Sequence, residues 1–213
     1  MAQSPFAHVI TSSIMLGLFG VVGAGIVAGV HELTAERVLE NERQARLRVL
    51  NEVLPADRYD NSILADTLVL RDPALADGRY PVTVYRARRG EAPVAAVFET
   101  VAPDGYSGAI HLLIGIDTDG RVTGARVLKH AETPGLGDPI EQNHSNWILG
   151  FTGKSTREPE LARWAVKRDG GEFDQFTGAT ISPRAVVKAI RQTLVYFGDH
   201  RDQLLATETP IHE

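Results

Sequence analysis

"IGIDTDGRVTGARVLKH", residues 114–130, sets the fold class. Two alternating runs of apolar and polar residues flank Asp119-Gly120, a dipeptide that favours the tight turn of a β-hairpin. Four runs rich in Val, Ile, Leu, Thr and Tyr, the last of them ending in the first arm of this hairpin, are bounded by Gly, Pro and Asp. They are "DTLVLR" (66–71), "YPVTVYRARR" (80–89), "PVAAVFETVA" (93–102) and "GAIHLLIGID" (108–117). All are predicted strands. Downstream, "GDPIEQNHSNWILGF" (137–151) reads as a helix with Pro139 at its first position, and "ARWAVKR" (162–168) as a short strand. The last helix is expected to begin at Ser182 as N-cap, with Pro183 opening it. Ala185, Val186, Ala189, Ile190, Leu194 and Phe197 mark its core face. Strands in succession, joined by hairpins and followed by a helix, predict an α+β fold with a mostly antiparallel sheet.

The N-terminal quarter is of another kind. After a leader at residues 1–8, "VITSSIMLGLFGVVGAGIVAGV" (9–30) holds no charged residue. As a helix its 22 residues extend roughly 33 Å, enough for a bilayer core of about 30 Å. Gly17, Gly20, Gly23, Gly25 and Gly29 weaken a helix in water but suit close packing in a membrane. The leader has no Lys or Arg and the apolar run exceeds a secretory h-region, so the segment reads as an uncleaved transmembrane anchor. Residues 31–55 continue as a helical stalk, with Leu33, Val38, Leu39, Leu47, Leu50 and Leu54 on one stripe and Pro55 at the end. Residues 56–213 form the folded domain. Arg37, Arg43, Arg46 and Arg48 follow the span and none precedes it, so the charge rule places that domain in the cytoplasm.

Composition removes several classes of function. A chain with no Cys has no disulfide, thiolate nucleophile or zinc-thiolate site. A net charge of −5, with basic residues scattered among acids, argues against a nucleic-acid partner.

Two stretches carry candidate chemistry. In "KHAETPGLGD" (129–138) a strand ends at His130 and a loop with Gly135 and Gly137 follows. Glycines let backbone approach a ligand closely, and Glu132 and Thr133 offer an acceptor and a hydroxyl. The spacing of His130, Glu132, Asp138 and His144 matches no metal-ligand motif, and no metal is expected. A surface turn with incidental polar residues accounts for the composition equally well. In "DQFTGATISPRAVV" (174–187) a turn precedes the last helix. A helix cap explains Ser182 and Pro183 but not Asp174, Thr177 or Thr180. The start of a helix presents unpaired N–H groups and a positive dipole end, a setting that favours a phosphate. Thr180 places a hydroxyl there.

"DQFTGAT" fits an Asp-x-x-(Ser/Thr)-Gly-Ala-(Ser/Thr) pattern, and with "HAETPGLGD" it resembles the FMN-binding domain family. That family includes the G subunit of Rnf ion-translocating electron-transport complexes and the C subunit of the sodium-pumping NADH:quinone reductase. The resemblance, carried by two short motifs and the order span then domain, implies FMN joined through its phosphate to Thr180. It implies that a flavin transferase reads Asp174, Thr177, Gly178 and Ala179. Glu132, Thr133, Gly135 and Leu136 would lie along the flavin, with His130 beside them on the strand. Trp147, Phe151, Trp164 and Phe176 are available to cover the ring, although aromatic side chains more often belong to a core.

By the same resemblance the chain is a membrane-anchored flavoprotein. It is not catalytic alone, and it passes electrons within an ion-translocating ferredoxin/NAD oxidoreductase. Its implied partners are other membrane subunits of that complex, the flavin transferase and membrane lipid. Its implied place is the bacterial inner membrane with the domain on the periplasmic side, against the charge rule. A tethered FMN-binding sensory domain, or the equivalent subunit of the quinone reductase, are the alternatives.

Overall fold

A computed structural model of the chain describes residues 5–206, with the side chains of residues 5–9, 11 and 12 left out of the description. The chain divides into two compact units, Met1–Leu47 and Arg48–Glu213. The first is helical throughout its described part. Helix α1, Pro5–Val53, takes in the predicted span and nearly all of the stalk, and its last residues belong to the second unit. It contains a window apolar enough to cross a membrane, none of it buried within the protein. Apart from the adjoining residues and the helix's own nearby backbone, no described atom lies within 4 Å of where a Cβ would stand on Gly17, Gly20, Gly23, Gly25 or Gly29. Leu33, Val38 and Leu39 of the stalk stripe are exposed, whereas Leu50 and Leu54 are buried in the second unit.

The second unit is built on five strands, β1 Thr67–Leu70, β2 Val82–Arg89, β3 Ala92–Ala102, β4 Ile110–Asp117 and β5 Val122–Lys129. They pair in sequence order, each antiparallel to the next, so the sheet is a meander. The strand predictions up to residue 130 hold, and the Asp119-Gly120 turn joins β4 to β5 with Gly120 at φ +76°. Because successive side chains point to opposite faces, Val84, Phe98, Ile114 and Ala125, which oppose one another across β2 to β5, share one face. Helix α2, Ile181–Leu205, packs on that face against β3 and β4. Phe98 meets Phe197 edge to face at 6.3 Å, with both rings buried. Burial of each ring contributes about 1.5–3 kcal/mol. All six predicted core residues of this helix are buried.

The other face receives the end of α1. Gly115 and Gly124 oppose each other there, and a Cβ on Gly124 would lie 2.8 Å from the Val53 Cα. Only glycine admits this approach. The Thr123 hydroxyl then donates to the Val53 carbonyl at 2.6 Å, an acceptor the helix end leaves open.

Between β5 and α2 the chain departs from its predicted elements. The helix expected over 137–151 is two separate 3₁₀ turns, Asp138–Ile140 and Asn146–Phe151. Asn143 and Ser145 fall in the interruption, where short polar side chains compete for backbone groups. Ser145 Oγ accepts from the Trp147 N–H at 2.9 Å and starts the second turn. The strand expected at 162–168 is a 3₁₀ turn at Leu161–Arg163, a single bridge from Val166 to Phe173, and another 3₁₀ turn at Lys167–Asp169. Here the Arg163 carbonyl accepts from the N–H groups of Ala165 and Glu172, which folds the segment back on itself. Phe151, Trp164 and Phe173 stack together inside it, with ring centroids 4.6–6.1 Å apart.

Candidate functional site

Helix α2 begins two residues earlier than its capping sequence suggests. Thr180 is the N-cap at φ −80°, ψ −25°, and its hydroxyl makes no capping hydrogen bond. Ser182, expected as the cap, lies in the first helical turn, 1% exposed, and donates its hydroxyl to Glu132 Oε2. The correction has a physical cause: donation to a buried carboxylate is a charge-assisted hydrogen bond, stronger than the one a capping hydroxyl would accept from a backbone N–H. The first helical bond runs from the Arg184 N–H to the Thr180 carbonyl at 3.2 Å. Pro183 carries no N–H, and those of Ile181 and Ser182 have no acceptor among the described residues. The preceding turn closes with the Ala179 N–H on the Phe176 carbonyl at 3.1 Å, and Gly178 sits at φ +81°, which a side chain would strain.

The facing wall is the loop after β5. Glu132 is 4% exposed. Its Oε1 accepts from the Ser107 N–H at 3.0 Å and its Oε2 from Ser182, so one carboxylate ties together the β3–β4 connection, this loop and α2. The Glu132 N–H donates to His130 Nδ1 at 2.9 Å. Nδ1 is therefore an acceptor, and Nε2 carries the proton it presents to Glu141 Oε1 at 2.8 Å. Thr133 turns the chain, its carbonyl accepting from the Leu136 and Gly137 N–H groups. Gly135 supports that turn at φ +76°. Gly137 is required by contact: a Cβ there would lie 2.7 Å from Ser182 Oγ and 3.0 Å from Glu132 Cβ.

Between these walls lies a cleft of about 370 Å³ lined by Tyr106, Glu132, Thr133, Leu136, Thr180 and Ser182, among others. Of the residues singled out from sequence, Glu132, Thr133, Leu136, Gly178, Ala179 and Thr180 are brought together here. Gly135 shapes the loop from behind. Asp174 and Thr177 stand outside the lining. The Asp174 side chain is 68% exposed and pairs with Lys167 Nζ at 2.6 Å, while its carbonyl accepts from Trp147 Nε1. None of Trp147, Phe151, Trp164 and Phe176 lines the cleft, and Phe151 and Trp164 are core. The histidines are held apart, His130 on Glu141 and His144 on Asp138 at 3.0 Å.

The sequence reading missed Tyr106, Ile181 and Arg168. Tyr106 is an aromatic residue in a Gly-flanked turn, "DGYSG", and that was its available signal. Tyr106, Leu136 and Ile181 are 69%, 47% and 42% exposed, an apolar rim around a cleft in which Glu132 and Ser182 are buried. Beside Thr180, Arg184 forms a two-pronged ion pair with Asp169 at 2.6 and 2.8 Å. Hydrogen bonding from Arg184 holds the Asp169 carboxyl below its ordinary value. Arg168 Nη1 donates to Thr180 Oγ1 at 3.3 Å.

This arrangement is suited to one kind of ligand. Free N–H groups, a cation and a hydroxyl meet at the start of a long helix, where a phosphate is stabilised. The apolar rim provides for a flat, partly apolar body attached to it. The residues present therefore fit a flavin phosphate.

Comparison with known proteins agrees with the geometry. Residues 105–195 match the family model of the FMN-binding domain, and residues 1–53 that of the RnfG N-terminal region. The chain is 49% identical to the G subunit of the ion-translocating oxidoreductase complex of Pseudomonas aeruginosa over 92% of both chains. It is 44% identical to the protein of the same name from Vibrio cholerae, over 91% of this chain and 92% of the relative. For the Yersinia pestis protein the figures are 48%, 86% and 87%. The chain thus carries an FMN-binding domain behind an apolar helix long enough to cross a membrane, and it belongs to the family of G subunits of ion-translocating oxidoreductase complexes.

Proposed function

We propose that this chain is a membrane-anchored electron-transfer subunit carrying FMN in phosphoester linkage to Thr180. The observation that supports it most directly is the Thr180 hydroxyl. It caps nothing, it opens on the cleft, and it adjoins two N–H groups without acceptors among the described residues. The ester forms when Oγ1 displaces the leaving group of an activated flavin phosphate. The threonine proton is lost as the new P–O bond replaces the old one. A flavin phosphoanhydride meets that need, its other half departing as a phosphate, and a flavin transferase is the enzyme that performs the exchange. The exposure of Asp174, Thr177 and Gly178 suits residues read by another enzyme.

Bound FMN supplies one- and two-electron chemistry. This chain's residues hold the phosphate at Thr180 and the flavin along Glu132, Thr133, Gly135 and Leu136. The tether keeps the local flavin concentration high. The partners are the other membrane subunits of an ion-translocating ferredoxin/NAD oxidoreductase. The domain lies on the periplasmic side of a bacterial inner membrane, an orientation the resemblance carries against the arginine count.

Intact mass after co-expression with an active flavin transferase tests this reading. One FMN adduct is expected, located at Thr180 by fragmentation and missing from Thr180→Ala. An unmodified chain, or an adduct at Thr133 or Ser182, would overturn it.

A further inference from the structure

Three basic side chains lie on the Lys167–Asp169 turn and the first turn of α2, which meet at Thr180, and their pairing is unequal. Lys167 is matched with Asp174 at 2.6 Å and Arg184 with Asp169 at 2.6 Å. Arg168 forms no ion pair among the described residues, and its guanidinium meets the Thr180 hydroxyl at 3.3 Å. The cluster of five charged groups therefore carries one uncompensated positive charge, placed beside the candidate acceptor oxygen. The arginine is held from both sides. Its N–H donates to Gln175 Oε1 at 3.1 Å, and the Asp169–Arg184 pair fastens the Lys167–Asp169 turn to the first turn of α2. Gly170, at φ +83°, lets the chain leave that turn sharply. Gln175 lies inside the "DQFTGAT" stretch, where its side chain sets the arginine's position, a role separate from reading by another enzyme.

We infer that Arg168 is the counter-ion of the flavin phosphate at Thr180. The inference rests on the proposed attachment and adds to it the residue that neutralises the product. A phosphodiester carries one negative charge on its non-bridging oxygens, which equals the single free positive charge on this cluster. Arginine suits the task because its planar fork keeps its charge at any working pH and pairs well with phosphate oxygens. The same guanidinium stabilises Oγ1 as its proton leaves, so Arg168 also favours formation of the ester. It is a positioning residue for that reaction.

The test uses the full chain in detergent, with Thr180→Val to prevent esterification, titrated with FMN and with riboflavin by flavin fluorescence. FMN is expected to bind more tightly than riboflavin, and Arg168→Gln to reduce that ratio about tenfold, the effect of losing one charge-assisted hydrogen bond. A ratio of one with Arg168 present, or a ratio changed less than about twofold by its loss, would overturn the assignment. In the chain that keeps Thr180, Arg168→Gln is expected to slow adduct formation about tenfold at unchanged Tm. An unchanged rate also counts against the assignment. Failure of either measurement on a chain that does acquire the adduct strikes Arg168 alone. No adduct on the unsubstituted chain removes the flavin reading, and this inference with it.

Discussion

The two ends of α2 are built on opposite principles. At its C-terminal end Arg86 Nη1 donates to the Ala206 carbonyl at 2.8 Å, and Arg88 Nη2 to those of Ala206 and Leu205 at 2.7 and 3.2 Å. Both arginines are buried, and both pair with Asp66 at 2.5 and 2.8 Å. Cations there also oppose the negative end of the helix dipole. At the N-terminal end, among the described residues, two N–H groups lack acceptors, the N-cap hydroxyl caps nothing, and Arg168 forms no ion pair. The difference shows where stability and function reside. The buried end fixes the helix on the sheet. The open end leaves N–H groups available to water or to a ligand.

Substitutions at the two ends should separate accordingly. The largest loss of stability is expected from Asp66→Ala, which leaves two buried guanidiniums without their carboxylate. We expect about 3 kcal/mol in denaturant unfolding, with the folded fraction still acquiring flavin. A phenotype confined to flavin loading would invert the comparison.

Ser182→Ala comes next. It deprives the buried Glu132 of one donor, and about 1.5–3 kcal/mol is expected where loss of an ordinary N-cap is worth about 1 kcal/mol. It should also loosen the cleft, since Glu132 ties three segments together there. Ser182→Thr keeps the hydroxyl and should recover part of the loss.

The smallest effect is set by pH at the exposed Asp169–Arg184 pair. The folded carboxyl titrates below its ordinary value of 3.8, chiefly through the hydrogen bond from Arg184. Its contribution is complete above 3.8 and disappears as pH falls through the lower, folded value. Amide exchange in the Lys167–Asp169 turn should rise over that acidic range, and Asp169→Asn should make it insensitive to pH there. Any change near neutrality would need another group.

Much of the fold was legible because its signals are local. Alternation in β2 to β5, the Asp119-Gly120 turn and the helical period of α2 are each contained within a dozen residues or so, and each appears where expected. The segment between β5 and α2 was misread because its order comes from elsewhere. Phe151, Trp164 and Phe173 assemble a core from 3₁₀ turns that no periodicity announces. The candidate site divides in the same way. Glu132, Thr133, Leu136 and Thr180 stood out as residue types in glycine-containing loops. Ser182 was recognised but given the wrong task, because its partner Glu132 lies 50 residues away in sequence. Arg168 gave no signal, since its meaning depends on which neighbouring cations already have partners.

The sequence by itself determined an apolar helix of membrane-spanning length, an antiparallel sheet, a packed C-terminal helix and two short motifs. Each rests on composition or spacing along the chain, which the backbone converts directly into local structure. Tertiary structure alone decided that the two motifs face each other across one cleft, that Thr180 rather than Ser182 ends the helix, and which cation remains free. Those facts depend on competition among buried and charged groups for a limited set of partners, and that competition is settled only when distant segments meet.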